Sequence, residues 1–236
     1  LYILAPGAFM FVACMTSAVI PWGTELTLFG GTPIALQVTD LNIGILYIMG
    51  FTSLGVYGIM IGGWSSNNKY ALYGAIRASA QMISYELAMG LALISAVMLT
   101  GTLSLKEMAM QQAGLNWNIW YQPLGFLIFF ICALAECNRA PFDMAECETE
   151  LIGGYHTEYS SMKLGFFLFA EYINMFVACA VIATVYFGGY NFPGLRPDML
   201  GGLMGPIVMF AKTFFFIFVF MWIRWTLPRF RYDQLM

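Results

Sequence analysis

Residues 164–187, LGFFLFAEYINMFVACAVIATVYF, hold a single charged side chain, Glu171, in a run long enough to cross a bilayer as one helix. A hydrocarbon core about 30 Å thick needs ~20 apolar residues at 1.5 Å per residue. At that depth backbone N–H and C=O groups must satisfy one another, which leaves the α-helix as the conformation for an isolated apolar run of this length. Similar runs lie at roughly 1–20, 41–61, 79–100, 121–137 and 202–223. With 60% hydrophobic and 10% charged residues and a mean hydropathy of +0.75, the composition lies far from that of a soluble domain. The chain reads as all-α, a polytopic transmembrane helix bundle of about six crossings, forming one membrane-embedded domain over residues 1–236.

The connections near 21–40, 101–120 and 188–200 carry the Gly, Pro and Asn of turn-forming segments. Two further loops, 62–78 and 138–163, lie on the opposite side together with the C-terminal segment. That side holds Lys69, Arg77, Arg139, Lys163, Arg224, Arg229 and Arg231, whereas the other holds Lys106 and Arg196. Lysine and arginine asymmetry sets orientation, so loop 138–163 is expected on the cytoplasmic or matrix side of a bacterial inner or mitochondrial inner membrane. The basic residues are scattered and the net charge is only −3, which offers nothing to a nucleic acid. Cys14, Cys132, Cys137, Cys147 and Cys179 form no CxxC pair, and His156 is the single histidine, so no metal site is expected. The chain opens on Leu1 inside an apolar run and stops at Met236 just after a crossing, and reads as a piece of something longer.

Against this background the stretch AECNRAPFDMAECETELIGGYHTEY is unusual, because Glu136, Asp143, Glu146, Glu148, Glu150 and Glu158 face only Arg139 and, just beyond, Lys163. The acids alternate with Phe142, Leu151, Ile152, Tyr155 and Tyr159, a pattern for a loop packed on something apolar rather than a free solvated hairpin. Glu86, Glu136 and Glu171 fall within or at the inner ends of three separate crossings. A carboxylate at a helix centre costs about 2.5–3.5 kcal/mol on insertion scales, less toward the ends, and such residues mark ion paths or pair with neighbours. Two readings follow: each Glu is tied to an adjacent helix, with Lys212 in the last crossing as an ion-pair candidate, or the three form a proton path. Three acids at similar depth leading into an acidic loop favour the path. No Ser/His/Asp set, zinc spacing, phosphate loop or dinucleotide fingerprint appears, so the chain by itself is expected to bind no electron-transfer cofactor.

Three stretches, ECNRAPFDMAECETELIGGYHTEYSSMKLGFFLFAEYINMF, GWSSNNKYALYGAIRASAQMISYELAMG and LPRFRYDQLM, closely resemble the quinone-site membrane subunit of respiratory complex I, the H subunit of the proton-pumping NADH:quinone oxidoreductase. The resemblance covers nearly the whole chain. It implies a subunit at the junction of the peripheral and membrane arms, bordering a chamber for ubiquinone or menaquinone. Hydrophilic quinone-site and iron–sulfur subunits of the peripheral arm, which hold the iron–sulfur clusters and FMN, would be its partners, with small membrane subunits leading to antiporter-like subunits. It also implies that Glu86, Glu136 and Glu171 belong to a row of buried acids, and that Glu146, Glu148 and Glu150 are the acidic part of the loop beside the chamber. Arg139, Asp143, Glu158 and Tyr159 would shape that loop, by architecture (a guanidinium holding carboxylates, a carboxylate capping the backbone) or by facing quinone. The family usually has eight crossings, so the first and last are expected to lie outside this chain.

The equivalent membrane component of a hydrogenase-type complex, which shares the fold without using quinone, is the alternative. A free-standing transporter is disfavoured by the lack of repeat symmetry.

Overall fold

The computed structural model describes residues 1–27, 33–143, 152–195 and 202–230. Among these, eight α-helices account for nearly all the regular structure: α1 (Leu4–Ser17), α2 (Gly44–Ser65), α3 (Lys69–Thr100), α4 (Leu105–Gln111), α5 (Asn118–Tyr121), α6 (Pro123–Glu136), α7 (Ser161–Tyr186) and α8 (Met204–Thr226). Four of them, α2, α3, α7 and α8, are long and apolar enough to cross a membrane, and α1 and α6 are shorter apolar helices. Each of the six apolar runs therefore holds a helix, though two fall short of a full crossing by length.

The largest departure from the apolar runs is α3, which starts at Lys69 rather than near residue 79. Hydropathy sees only the part of a helix that lies among apolar surroundings. The 32 residues of α3 extend about 48 Å, so its first turns project past a ~30 Å hydrocarbon layer. They are helical because Asn68 caps them, its side chain accepting from the Tyr70 N–H at 3.0 Å. The far end stops at Gly101, whose φ of 73° is the left-handed C-terminal conformation.

The connection 101–120 also holds more than turns. Leu105, Met108 and Ala109 recur at helical spacing and are buried along α4. In the connection 21–40 a minimal antiparallel pair, β1 (Glu25–Leu26) and β2 (Ile34–Ala35), joins Glu25 to Ala35 and Leu26 to Ile34.

Helix α7 is the centre of the bundle. It packs against α1, α8, α6 and α4, and 56% of its most apolar window is buried, against 39, 28 and 28% for α2, α3 and α8. Two apolar clusters meet along it. One joins α3, α6, α7 and α8 through Leu93, Phe129, Ile182, Met209 and Phe216. The other joins α1, α2 and the first half of α3 through Phe9, Ile59, Ala75 and Met82, and includes Tyr155, Tyr159 and Phe167.

The 3-10 turn Gly154–His156 lies directly on α3. A Cβ at Gly74 would sit 2.9 Å from the backbone of Gly154 and Tyr155, a contact that requires the turn to move. Gly74→Ala is expected to cost about 1–3 kcal/mol by overpacking and to displace Tyr155. Thermal unfolding of the detergent-solubilised complex checks this, and an unchanged midpoint would show that the turn yields freely.

Candidate functional site

Glu171 lies on α7 with 3% of its surface exposed. The Tyr155 hydroxyl donates to its Oε1 at 2.7 Å, and Arg139 Nη2 stands 3.6 Å from its Oε2. The Arg139 guanidinium is itself buried and stacks over the Tyr172 ring at 4.4 Å. Three segments converge here because each is fixed locally. Arg139 follows the end of α6, Tyr155 sits in the turn held against Gly74, and Glu171 projects from the central helix. A charge in so dry a place persists only when paired and hydrogen-bonded.

The end of α6 is braced by a residue that hydropathy does not single out. Buried Gln81 on α3 donates to the carbonyls of Ala135 at 2.8 Å and Phe142 at 2.7 Å. Asp143, also buried, pairs with Arg229 at 3.5 Å, and the Phe230 N–H donates to the Pro141 carbonyl at 3.1 Å. The segment after α8 therefore docks on the turn after α6. Arg139 and Asp143, close together in the motif, each pair with a residue of another segment, Glu171 and Arg229.

Glu158 and Tyr159 form a separate cluster. Glu158 Oε1 accepts from Asn68 Nδ2 at 2.8 Å, and its backbone carbonyl accepts from the Tyr2 hydroxyl at 2.6 Å. Tyr159 is buried, stacks on Tyr2 at 4.3 Å between ring centres, and donates to the Gly62 carbonyl at 3.3 Å. These contacts tie the start of α1, the end of α2 and the start of α3 together. Phe167 separates this cluster from Glu171, edge-on to both Tyr155 and Tyr159.

Glu86 and Glu136 come together from α3 and α6. Glu86 accepts from Ser53, and Glu136 lies within electrostatic reach of Glu86. Glu136 and Thr52 line an internal cavity of about 40 Å³, whose other polar walls include Thr16 and Asn174. Buried Cys137 lies between this pair and the Glu171 site, within reach of Glu136, Arg139 and Glu171. The three glutamates thus form two neighbouring stations.

Lys212 is not their ion-pair partner. Its ammonium donates to the carbonyls of Phe187, Gly189 and Asn191 at 2.7, 2.7 and 2.5 Å, beyond the opposite end of α7. Gly188 and Gly189, with φ of 73° and 55°, turn the chain so that these carbonyls converge.

Glu146, Glu148 and Glu150 lie outside the described residues. Among the described residues no three His, Cys, Asp or Glu side chains converge as metal ligands.

The family model for NADH dehydrogenase matches residues 1–236. The chain is 62% identical over 242 residues to the H subunit of NADH-quinone oxidoreductase from Flavobacterium johnsoniae, with all of this chain and 69% of that protein covered. The chain belongs to the H-subunit family of NADH-quinone oxidoreductase. It is 63% identical over 241 residues to the H 1 subunit of the same oxidoreductase from Cytophaga hutchinsonii, covering 70% of it. It is 46% identical over 250 residues to NADH-quinone oxidoreductase subunit 8 of Rhodothermus marinus, again covering 70%. As a member of this family it is a membrane subunit of an oxidoreductase complex, with other subunits of that complex as its partners. The acids and Arg139 stood out in the sequence, and Tyr155 only as one of the loop's packing residues, but Gln81 and Ser53 did not. These polar residues are ordinary in a helix or loop, and only their positions against distant carboxylates set them apart.

Proposed function

We propose that this chain borders the quinone chamber of its complex and couples quinone reduction to proton translocation through Glu171, Glu136 and Glu86. Quinone, ubiquinone or menaquinone, is the substrate, and the electrons come from iron–sulfur clusters held by peripheral-arm subunits. Reduction of quinone consumes protons and changes the charge beside the loop carrying Arg139, Asp143, Glu146, Glu148, Glu150, Glu158 and Tyr159. That change reaches Glu171 through Arg139 and Tyr155, and is passed to Glu136 and Glu86 on the way to the antiporter-like subunits. The loop then faces the cytoplasm of a bacterium whose inner membrane holds the complex.

The observation that carries this reading is the Glu171 site. A carboxylate with a charged partner and a phenol donor sits at the centre of an apolar bundle, one residue shell from a second pair of acids. Nearby acids couple their titrations, so a proton gained or lost at one station changes the charge felt at the next. The hydrogenase-type alternative lacks comparable support, since the relatives matched over the full chain are quinone oxidoreductase subunits.

The test is Glu171→Gln in the assembled complex in proteoliposomes, with quinone-dependent NADH oxidation and proton uptake recorded together. Both are expected to fall by about a hundredfold or more, the scale of a lost proton-transfer group, while assembly persists. If both continue at the normal ratio, Glu171 is architectural and the relay is lost.

A further inference from the structure

Arg139 stands beside Glu171 without a hydrogen bond to it. Its Nη2 is 3.6 Å from Glu171 Oε2, and among the described residues neither its Nη2 nor its Nε has a hydrogen-bond partner. Stacking over Tyr172 at 4.4 Å sets the height of the guanidinium above the ring, but a ring face fixes no direction across it. The distance to Glu171 is therefore set by where the backbone of the turn after α6 is held. The Phe142 N–H donates to the Arg139 carbonyl at 2.9 Å, which locks those two residues together. Two segments grip this turn. From α3, Gln81 donates to the carbonyls of Ala135 and Phe142 at 2.8 and 2.7 Å, and the Tyr85 ring lies 5.5 Å from that of Phe142. From the segment after α8, the Phe230 N–H donates to the Pro141 carbonyl at 3.1 Å, the Phe230 ring lies 5.6 Å from that of Phe142, and Arg229 Nη2 stands 3.5 Å from Asp143 Oδ2. The first grip is built into a long helix. The second leaves α8 in extended backbone at Leu227 and joins a buried carboxylate, 7% exposed, to an arginine side chain that is 47% exposed.

We propose that Arg229 and Phe230 are positioning residues for the Arg139–Glu171 pair: the segment 227–230 straps the turn after α6 in the place that keeps the guanidinium beside the carboxylate. The inference rests on the relay reading above and adds the residues that set its first contact. The strap acts through the residues it holds, Pro141, Phe142 and Asp143, and through them on Arg139. An exposed ion pair alone contributes little. Here one partner is buried, and the hydrogen bond and ring contact of the next residue hold the same turn, so a change at Arg229 or Phe230 is felt as a displacement of the turn. Without the strap the turn is held from α3 alone, and the guanidinium, which no hydrogen bond ties to Glu171, leaves the carboxylate without its charged partner. Arg229 is thus the exposed end of a series of contacts whose other end is a carboxylate in the centre of the bundle.

The experiment uses the assembled complex in proteoliposomes, reading quinone-dependent NADH oxidation and proton uptake as quinone is varied. Arg229→Gln should lower kcat in both readouts by about tenfold, short of the roughly 10² that a 1 Å misplacement can cost. The KM for quinone should stay as it is, because the strap moves the Arg139–Glu171 pair and not the substrate. Asp143→Asn should cause the same loss and the double variant no more than either, since both break one contact. Arg229→Lys, which keeps the charge in a contact made by a single nitrogen, should recover most of the turnover. Adding Arg229→Gln to Glu171→Gln should cost nothing further, a result that a merely structural strap would not give. Normal turnover in Arg229→Gln and Phe230→Ala, beside a depressed Glu171→Gln, overturns the strap and leaves the relay standing. A raised KM at unchanged kcat, or losses that add between Arg229→Gln and Asp143→Asn, also overturns it. Normal turnover in Glu171→Gln overturns both. Should Arg229→Gln fail to assemble, Phe230→Leu, which keeps the backbone hydrogen bond and loses the ring contact, is read by the same kcat and KM criteria.

Discussion

Lys212→Met is expected to leave little or no assembled complex in the membrane. The ammonium commits all three of its protons to the carbonyls of Phe187, Gly189 and Asn191, and methionine matches its length while satisfying none of them. An acceptor left without a donor costs about 1–3 kcal/mol when fully buried; these three part-buried acceptors converge on one point, so each loses part of that. The loss also removes a cation from the C-terminal end of α7, where the helix dipole favours positive charge. Summed, the penalty is a large part of the ~5–15 kcal/mol that stabilises an ordinary fold. Quantifying intact complex on native gels, with the thermal midpoint of whatever assembles, reads the effect. Lys212→Arg should fall between, since a planar guanidinium keeps the charge but cannot present three protons to one convergent point. Wild-type levels and an unchanged midpoint for Lys212→Met would mean that water or lipid replaces the ammonium at no cost.

Arg139→Leu is the second large effect, and a second substitution should relieve part of it. Arg139 and Glu171 are both buried, with 8% and 3% of their side chains exposed. Removing one member of such a pair costs about 3–5 kcal/mol, because the other charge is left uncompensated in a dry site. Glu171→Gln alone leaves the Arg139 charge uncompensated in turn, but that loss is eased because the amide still accepts from Tyr155 and the guanidinium keeps its stacking on Tyr172. The double variant Arg139→Leu with Glu171→Gln should therefore be more stable than Arg139→Leu by itself. A double-mutant cycle on the thermal midpoint measures this, and residues in contact typically couple by roughly 0.5–3 kcal/mol. Simple additivity would show that Arg139 acts through its stacking on Tyr172 and not through Glu171. The cycle also separates structure from transport, since Glu171→Gln is the variant expected to assemble and yet not couple.

The spans were legible because their signal is local. A run such as 164–187 must become a helix wherever it lies in an apolar medium, and α7 spans Ser161–Tyr186. The acids were legible for a related reason: Glu86, Glu136 and Glu171 stand out against apolar neighbours whatever the fold. The start of α3 was less so, because its first turns are held by the Asn68 cap and by contacts with the Gly154–His156 turn rather than by hydropathy. The α4 helix was readable in the spacing of Leu105, Met108 and Ala109 but was masked by the turn-forming residues around it.

Which residue answers each charge was a matter of tertiary structure. Lys212 stood as a candidate partner for a glutamate, since a buried cation and buried anions in one chain invite that pairing. The bundle instead places Lys212 under the carbonyls after α7, and gives Glu171 to Arg139 and Tyr155. Ser53 meets Glu86 across 33 residues of chain, and Gln81 meets Phe142 across 61. Apolar periodicity says nothing about such pairs, because a hydrogen bond depends on where two side chains end in space and each end is set by the packing of its own helix. The sequence by itself thus determined that this is an all-helical membrane protein with acids inside it. Only the packing of α2, α3, α6 and α7 decided that Glu86 meets Ser53 and lies near Glu136 while Glu171 meets Arg139 and Tyr155, because distances of a few ångströms between separate helices are properties of the assembled bundle.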